Sequence, residues 1–460
     1  MAYQPFPDLT FHPARPLVPS NEPLRIIVIG AGLAGLAAGI AFARKGHKVI
    51  IYERRKISTR EEAGTVIQFQ PNVTKVLQDW DMLEDVKKVA HANLAHDVRN
   101  YANLKERIAS IDLAARTEDK HWAALRGDFL EVFRLKALQN GVKIYEGVRV
   151  LHLGLGDNGA GRPSVSLSNA QTVEADLVIS ADGAGSKVRE QLFPDYKAKM
   201  LAKAIWSINA PLSVLEKPEL AALEENYHIG HGVVAPSPGK AILAFPIPQK
   251  KLLAVEVIDH EAPIEQDVTA QSNEWVEDLS HLRARFHDAD PAITSVISTA
   301  DRAFKWRLIE VEGLEKWSSP NGRVVLIGDA AHAMTPFSGQ GAAMGIEDAC
   351  TLAELLADAT TDTDVRSLVS TYEALRIPRV DRILKYARFQ GEKWTLKKPE
   401  QIAARNELWK RIGEDWYKKL HQVAVPEEMA AFGSPEFLAW LDKFDVFHHV
   451  KRAKARSSRL

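Results

Sequence analysis

Apolar positions in this chain gather into short runs whose spacing alternates between two periods. Ile26, Ile27, Val28 and Ile29 form an unbroken β-branched run, the pattern of a strand buried on both faces of a parallel sheet. Leu33, Leu36, Ile40 and Phe42 follow at helical spacing, and 49–52 repeats the strand pattern. Runs of the same buried kind recur at 175–179 and 324–327, the latter leading into a helical run at 342–356. Strands alternating with helices predict an α/β fold with a parallel, Rossmann-type sheet. The stretch from about 205 to 304 reads differently: it is sheet-rich, with 241–246 and 252–258 expected as adjacent strands. Beyond 390 the chain is helical and polar. Trp394, Trp409, Trp416 and Trp440 are spaced irregularly there, as core or interface anchors rather than a binding box.

The punctuation between the first runs carries chemistry. Gly30, Gly32 and Gly35 fill a GxGxxG template between a strand and a helix. Gly30 serves the tight turn, Gly32 the close approach of a pyrophosphate, and Gly35 the packing of helix on strand. Unpaired amides at the helix start offer donors and a positive dipole end to phosphates. Glu53, at the end of the next strand, stands where a ribose hydroxyl needs an acceptor. Gly154, Gly156 and Gly159 match the same template but run into an Asn-Gly, Gly and Pro stretch that forbids a helix. They predict a hairpin loop between 142–153 and 164–167.

Dinucleotide binding alone does not separate FAD from NAD, and the segment after 324–327 does. Asp329, following Gly328 at a strand end, can accept hydrogen bonds from further sugar hydroxyls, a second site that a soluble dehydrogenase does not need. Pro336, Gly339, Gln340 and Gly341 then precede a helix that begins at about Ala342, so a second helix N-terminus points into the same crevice. Asp182 and Gly183 follow the apolar run at 175–179, and this pair reads either as a strand-end turn or as part of the cofactor site.

These three segments, RIIVIGAGLAGLAAGIAFARKGHKVIIYE, ISADGAGSKVRE and VVLIGDAAHAMTPFSGQGAAMGIEDA, resemble in order and spacing the group A FAD-dependent aromatic monooxygenases of the para-hydroxybenzoate hydroxylase fold, in their salicylate-hydroxylase-like branch. The likeness extends from about 24 to about 390. It implies a Rossmann-type FAD domain of the glutathione-reductase kind at 24–90, 120–200 and 305–390, interleaved with a substrate-binding sheet domain at 91–119 and 205–304. A Pro-rich irregular arm at 1–23 and a helical C-terminal region at 391–460 complete the expected organisation. It further implies noncovalent FAD held by Gly30, Gly32, Gly35, Glu53, Arg54, Gly64, Arg126, Asp182, Asp329, Gly339, Gly341 and Ala342, with Arg189 fixing the middle segment. Arg126 and Asp128 match the family's Arg-x-Asp-Leu element, with Phe129 in place of leucine. Gln68, Pro71 and Asn72 keep the usual pattern after Gly64.

The activity implied is NAD(P)H-dependent hydroxylation or epoxidation through a C4a-hydroperoxyflavin, in which FAD carries the hard chemistry. Pro336 and Phe337 are candidates for the wall near the reacting carbon, Tyr227 is a further catalytic candidate, and Trp206, Tyr227 and Phe245 are candidate substrate contacts. Many relatives have an aromatic residue followed by arginine where this chain has Trp206 and Ser207. A neutral phenol, indole or polyketide-type ring therefore fits better than a carboxylate. A flavin reductase or oxidase on the same fold, or a non-catalytic FAD-stabilised interaction protein, would share the motifs.

Composition agrees. In 460 residues, Lys plus Arg total 59 against 60 acids, which leaves no electrostatic footprint for nucleic acid. Cys350 is the single cysteine, so no internal disulfide forms and an intracellular address is expected. The longest apolar stretch, 33–43, is too short to span a bilayer. The histidines show no metal-ligand spacing, and no GxSxG elbow is present. The chain ends Ser458-Arg459-Leu460 after a basic stretch, a variant of the Ser-Lys-Leu signal, so the expected location is cytosolic or peroxisomal, the latter through an import receptor.

Overall fold

The computed structural model describes residues 23–56, 64–114, 118–156, 161–262, 273–361, 363, 365–412 and 430–457. The N-terminal arm up to 22, Gly159, Trp416 and the terminal Ser458, Arg459 and Leu460 lie outside the described residues.

The β-branched run becomes the strand Arg25–Ile29, central in a five-stranded parallel sheet. Lys48–Glu53 and then Lys143–Glu146 lie on one side of it, and Leu177–Ser180 and then Val324–Leu326 on the other. The helix Leu33–Arg44 packs against this sheet and against the helices Arg126–Gln139 and Gly341–Leu355. Small residues set the closeness of that packing. A side chain at Gly345 would place its Cβ 2.8 Å from the Cβ of Ala34. The sheet is buried on both faces because residues from Ile26 to Ile29 and from Leu177 to Ser180 are all shielded from water, as a continuous apolar run demands.

The sheet-rich region forms an eight-stranded sheet in the order Asn273–Val276, Ala303–Glu310, Lys199–Pro211, Leu252–Asp259, Lys240–Ile247, His231–Ser237, Ala95–Asn100 and Asn103–Asp112. The expected adjacency of 241–246 and 252–258 is present as an antiparallel pair, with Leu243 opposite Glu256. Its outer face carries the helices Ala221–Ile229, Ser280–Arg285 and Pro291–Thr299 over a separate apolar core. Its inner face meets the nucleotide-type sheet's domain through Phe337 at one end and through Leu125 and Val66 at the other. A small sheet of Val66–Phe69, His121–Leu125 and His91–Asn93 lies at that junction.

Two readings of local pattern differ from this arrangement. The apolar stretch 142–153 is not one strand: Gly147, at φ +74°, breaks it. Lys143–Glu146 joins the parallel sheet while Val150–Gly154 pairs with Ser164–Leu167 in a separate antiparallel hairpin. The boundaries placed at 200 and 305 each fall inside a strand of the large sheet, Lys199–Pro211 and Ala303–Glu310, and these two strands pair with one another. The 30-residue helix Val365–Trp394 likewise runs across the boundary at 390 and contains Pro378. Pattern shows where strands are and not which sheet they join, since register is settled by partners distant in sequence.

Candidate active site

Gly30 sits at φ +98°, and its N–H donates to the Tyr52 carbonyl at 2.8 Å. A Cβ there would lie 2.5 Å from the Ala181 carbonyl oxygen, so the turn is clamped between the two neighbouring strands. Gly35 is tighter still, with a Cβ falling 2.0 Å from the Gly30 oxygen. Gly32 is the opposite case. Nothing lies within 4 Å of where its Cβ would be, and no side chain caps the helix that it precedes. An open face at the N-terminus of a 12-residue helix is a cradle for phosphate. Glu53 is buried beside it, its carboxylate accepting from the Ala31 amide at 2.8 Å and the Arg55 amide at 2.9 Å. Arg54 is exposed.

Asp182 accepts from the Ser180 hydroxyl at 2.5 Å and the Lys187 amide at 2.9 Å, so its carboxylate shapes the turn that carries Gly183 at φ +86°. Arg189 is buried and donates to the carbonyls of Ala184 at 2.6 Å and Ala330 at 2.8 Å, which ties the middle segment to the third. Burial pulls its guanidinium below the ordinary value, and Asp182 opposes that. Asp329 opens the short helix Asp329–His332 and is exposed. Gly64 accepts from the Asn209 carboxamide at 2.7 Å, and the Arg126 amide donates to Thr65 at 2.7 Å while its guanidinium lies 5.8 Å from the Trp306 ring. Asp128 is buried and paired at 3.3 Å with Lys250, in the turn Pro248–Lys250 that joins two strands of the large sheet.

The second helix N-terminus is held by a buried polar network that motif reading did not find. Gln340 precedes Gly341 without capping the helix; its carboxamide instead bonds to Gln70 and, at 3.0 Å, to Asn72. Asn72 donates at 2.7 Å to Glu347, which pairs with Arg376 at 2.5 Å and Arg379 at 2.8 Å. Asp348 takes Arg376 at 2.7 Å, His332 at 2.5 Å and the Gly328 amide at 2.9 Å. Burial would raise both carboxyls, but the arginines and His332 hold them below the ordinary carboxylate range. One ionic cluster thus fixes the Gly-Asp turn and the start of Gly341–Leu355 together. The signal in sequence was a pair of adjacent acids inside an otherwise apolar helix.

Pro336, Gly339, Gly341 and Ala342 remain at least partly exposed on the rim of the crevice. Phe337 turns the other way. It stacks on His260 at 4.9 Å, meets Trp394 edge-on at 5.6 Å, and lies so close to Gly391 that a Cβ there would be 2.5 Å from the ring. Burial pushes His260 down to about 3, with Lys203 adding to the effect, so the ring beneath Phe337 is neutral. Trp206 and Tyr227 are not brought to the crevice. Both belong to the core on the outer face of the large sheet, because Trp206 pairs with Val257 while Ser207, one residue on, pairs with Glu256 on the inner face. Phe245 does lie on the inner face, edge-on to His96 at 6.0 Å, with Ala254 as its cross-strand partner.

Glu256 is the other residue that motif reading missed. Its side chain is fully buried, accepting from Ser207 Oγ at 2.5 Å and from the Val66 amide at 3.2 Å. Desolvation raises its pKa from 4.5 to about 7 against those two bonds. The folded protein therefore binds this proton more tightly than the unfolded chain, and stability from this group is present below about pH 4.5 and lost as pH rises through about 7. Glu256→Gln keeps the shape and removes the titration. Its stability relative to the parent is expected to rise across that window by about 3 kcal/mol, read from denaturant melts at several pH values. A pH-independent difference would show that the carboxyl is not titrating there.

Among the described residues no His, Cys, Asp or Glu group fits a metal ion, and no helix is long and apolar enough to cross a membrane. Cys350 is buried, and desolvation pushes its thiol up, away from nucleophilic use. The open cradle at Gly32, two uncapped helix N-termini and the carboxylates of Glu53 and Asp329 are a donor and acceptor set that fits FAD.

Comparison with known proteins agrees. The FAD binding domain family matches residues 24–387. The FAD-dependent monooxygenase OpS4 of Beauveria bassiana is 27% identical over 444 residues, covering 95% of this chain and 99% of that protein. In fold, the chain is similar to FqzB, with a TM-score of 0.78 at 22% identity over 96% of this chain and 95% of that one. A salicylate hydroxylase substrate complex is similar at a TM-score of 0.70 and 21% identity, over 91% and 98%. With the family matched over most of its length, this chain belongs to the group A FAD-dependent aromatic monooxygenases.

Proposed function

We propose that this enzyme uses NAD(P)H and dioxygen to insert one oxygen atom into an electron-rich aromatic small molecule, a phenol, indole or polyketide-type ring, by hydroxylation or epoxidation. The observation that carries the substrate class is the inner face of the large sheet, where Ser207, Asn209 and Glu256 supply the polar groups. That set suits a neutral ring rather than a carboxylate. Bound FAD supplies electron transfer from the nicotinamide and activation of oxygen. The chain's own residues hold the cofactor, orient the ring and exclude water. Amides at the start of Gly341–Leu355 face the crevice with the positive end of a 15-residue helix, which favours negative charge on a reduced ring. The test is a panel of phenols, indoles and carboxylated rings screened for stimulated NAD(P)H oxidation, with product mass checked for one added oxygen. Stimulation without any oxygenated product would favour a reductase or oxidase.

Asp329 is assigned to the cofactor's sugar hydroxyls. Asp329→Ala is expected to weaken FAD by about 1–3 kcal/mol, roughly tenfold or more, because the hydroxyl loses its charged acceptor. Flavin content after gel filtration checks it, and unchanged occupancy would remove Asp329 from the site.

A further inference from the structure

The long helix Val365–Trp394 ends beside the rim turn of the crevice, and a residue from the next helix fixes that end. The last four carbonyls of a helix lack partners inside it. Here all four are taken. Thr395 closes two of them, its hydroxyl donating to the Gly391 carbonyl at 2.9 Å and its amide to that of Glu392 at 3.2 Å. Arg405, of the helix Pro399–Arg411, closes the other two, donating to the carbonyls of Lys393 at 2.9 Å and Trp394 at 3.3 Å. Its remaining nitrogens fork onto the Asn406 carboxamide oxygen at 3.1 and 2.9 Å. Arg405 is buried, and among the described residues no carboxylate pairs with it. Desolvation pulls its guanidinium down to about 10, so at neutral pH the charge is kept and lies at the negative end of a helix.

This helix end touches the turn that follows Pro336. Trp394 meets Phe337 edge-on at 5.6 Å, and Gly391 admits the Phe337 ring so closely that a Cβ would lie 2.5 Å from it. Phe337 in turn completes a dry plug with Ile205, Ala241, Ile258 and Leu308 across one end of the inner face of the large sheet. Leu243, two residues and so about 7 Å further along the strand from Ala241, is partly exposed on that face, so the plug stops where open space begins. We propose that Arg405 is a positioning residue for oxygen insertion: by holding the last carbonyls of Val365–Trp394 it sets Trp394 and Phe337, and through them the turn at Pro336, so that this end of the crevice stays closed to water. Arg405 acts through those two rings and reaches neither cofactor nor substrate. The inference rests on the aromatic monooxygenase reading, in which water must be kept from the reacting flavin.

The test uses the FAD-loaded enzyme carrying Arg405→Met or Arg405→Lys. Methionine removes every donor, while lysine keeps the charge and loses the planar fork. Amide hydrogen exchange is followed at 391–395, at the rim turn 337–341, and at the central strand Arg25–Ile29 as the internal reference. In Arg405→Met, exchange is expected to rise at least roughly tenfold at both 391–395 and 337–341 with Arg25–Ile29 unchanged, and Arg405→Lys is expected to fall between that variant and the parent. With the compound that the parent oxygenates best, product formed per coenzyme consumed is expected to drop at least roughly threefold in Arg405→Met, the balance appearing as hydrogen peroxide, at unchanged FAD content. A cap that serves its own helix alone would speed 391–395 and leave the rim turn and the product ratio as in the parent, which overturns the proposal. It is overturned equally by unchanged exchange at 391–395, by a rim turn that loosens with the product ratio intact, or by exchange that rises as much at Arg25–Ile29 in both variants. If the methionine variant does not fold, the lysine variant decides on the same readings. If the parent inserts oxygen into no compound, the oxygenation reading fails, and the exchange pattern still decides whether Arg405 holds the rim turn.

Discussion

Replacing Arg376 with methionine is expected to lower thermal stability by about 3–5 kcal/mol and to strip the protein of flavin in the same step. Arg376 is fully buried between Glu347 and Asp348, at 2.5 and 2.7 Å. Burial alone would depress its pKa, but the two carboxylates more than offset that and hold it above the ordinary guanidinium value. Methionine leaves Glu347 with Arg379 but strips Asp348 of its arginine, with His332 as its remaining basic partner in a dry interior. Asp348 also anchors the Gly328 amide, and Glu347 anchors Asn72 and through it Gln340, so both crevice turns loosen together. The melting midpoint is expected to fall by roughly 3–5 °C. Adding Asp348→Asn to the variant should restore part of the loss, since it removes the carboxylate left without an arginine while Glu347 keeps its pair with Arg379. An unchanged midpoint for the single variant would mean that the cluster is not a structural tie.

The second large effect is at Gly35. Alanine there sets a Cβ 2.0 Å from the Gly30 carbonyl oxygen, and both atoms belong to rigid elements, the turn clamped by Ala181 and the helix Leu33–Arg44 packed on Gly341–Leu355. The helix must withdraw by more than an ångström, at an expense of about 3 kcal/mol, and its amides leave the phosphate position. FAD affinity is expected to fall roughly hundredfold or more, seen as trace flavin in protein whose circular dichroism is unaltered. Gly32→Ala makes a telling comparison. Its Cβ meets nothing in the protein, so any loss of flavin in that variant reports the ligand itself.

The contrast between these two sites shows what was legible from sequence. Gly30, Gly32, Gly35 and Glu53 are readable because a turn, a helix start and a strand end are local events, encoded within some 25 consecutive residues. The same holds for Gly328, Asp329 and the glycines before Ala342. The ionic cluster was not readable, because Glu347 and Asp348 meet Arg376 and Arg379 only after two helices pack, and nothing local in Val365–Trp394 marks those arginines as buried. Facing was lost for a related reason. Along Ile205, Trp206, Ser207 and Ile208 both faces of the strand carry apolar side chains, so period-two reading cannot tell crevice from outer core. Trp206 drew attention as the aromatic that precedes the position of the relatives' arginine, and the inner face belongs to Ser207. Pro336 and Phe337 divide similarly, one at the rim and the other beneath it against His260 and Trp394.

The central claim is that the crevice between two helix N-termini and the inner face of the large sheet places an aromatic ring for oxygen insertion by bound FAD. It is tested most directly by turnover under oxygen-18 gas with NAD(P)H and the panel compound that most stimulates coenzyme oxidation. The account predicts a product heavier by one labelled oxygen atom, formed in proportion to the coenzyme consumed. Coenzyme oxidation that yields only hydrogen peroxide, with no labelled product from any hydroxyl- or N–H-bearing ring in the panel, would contradict it.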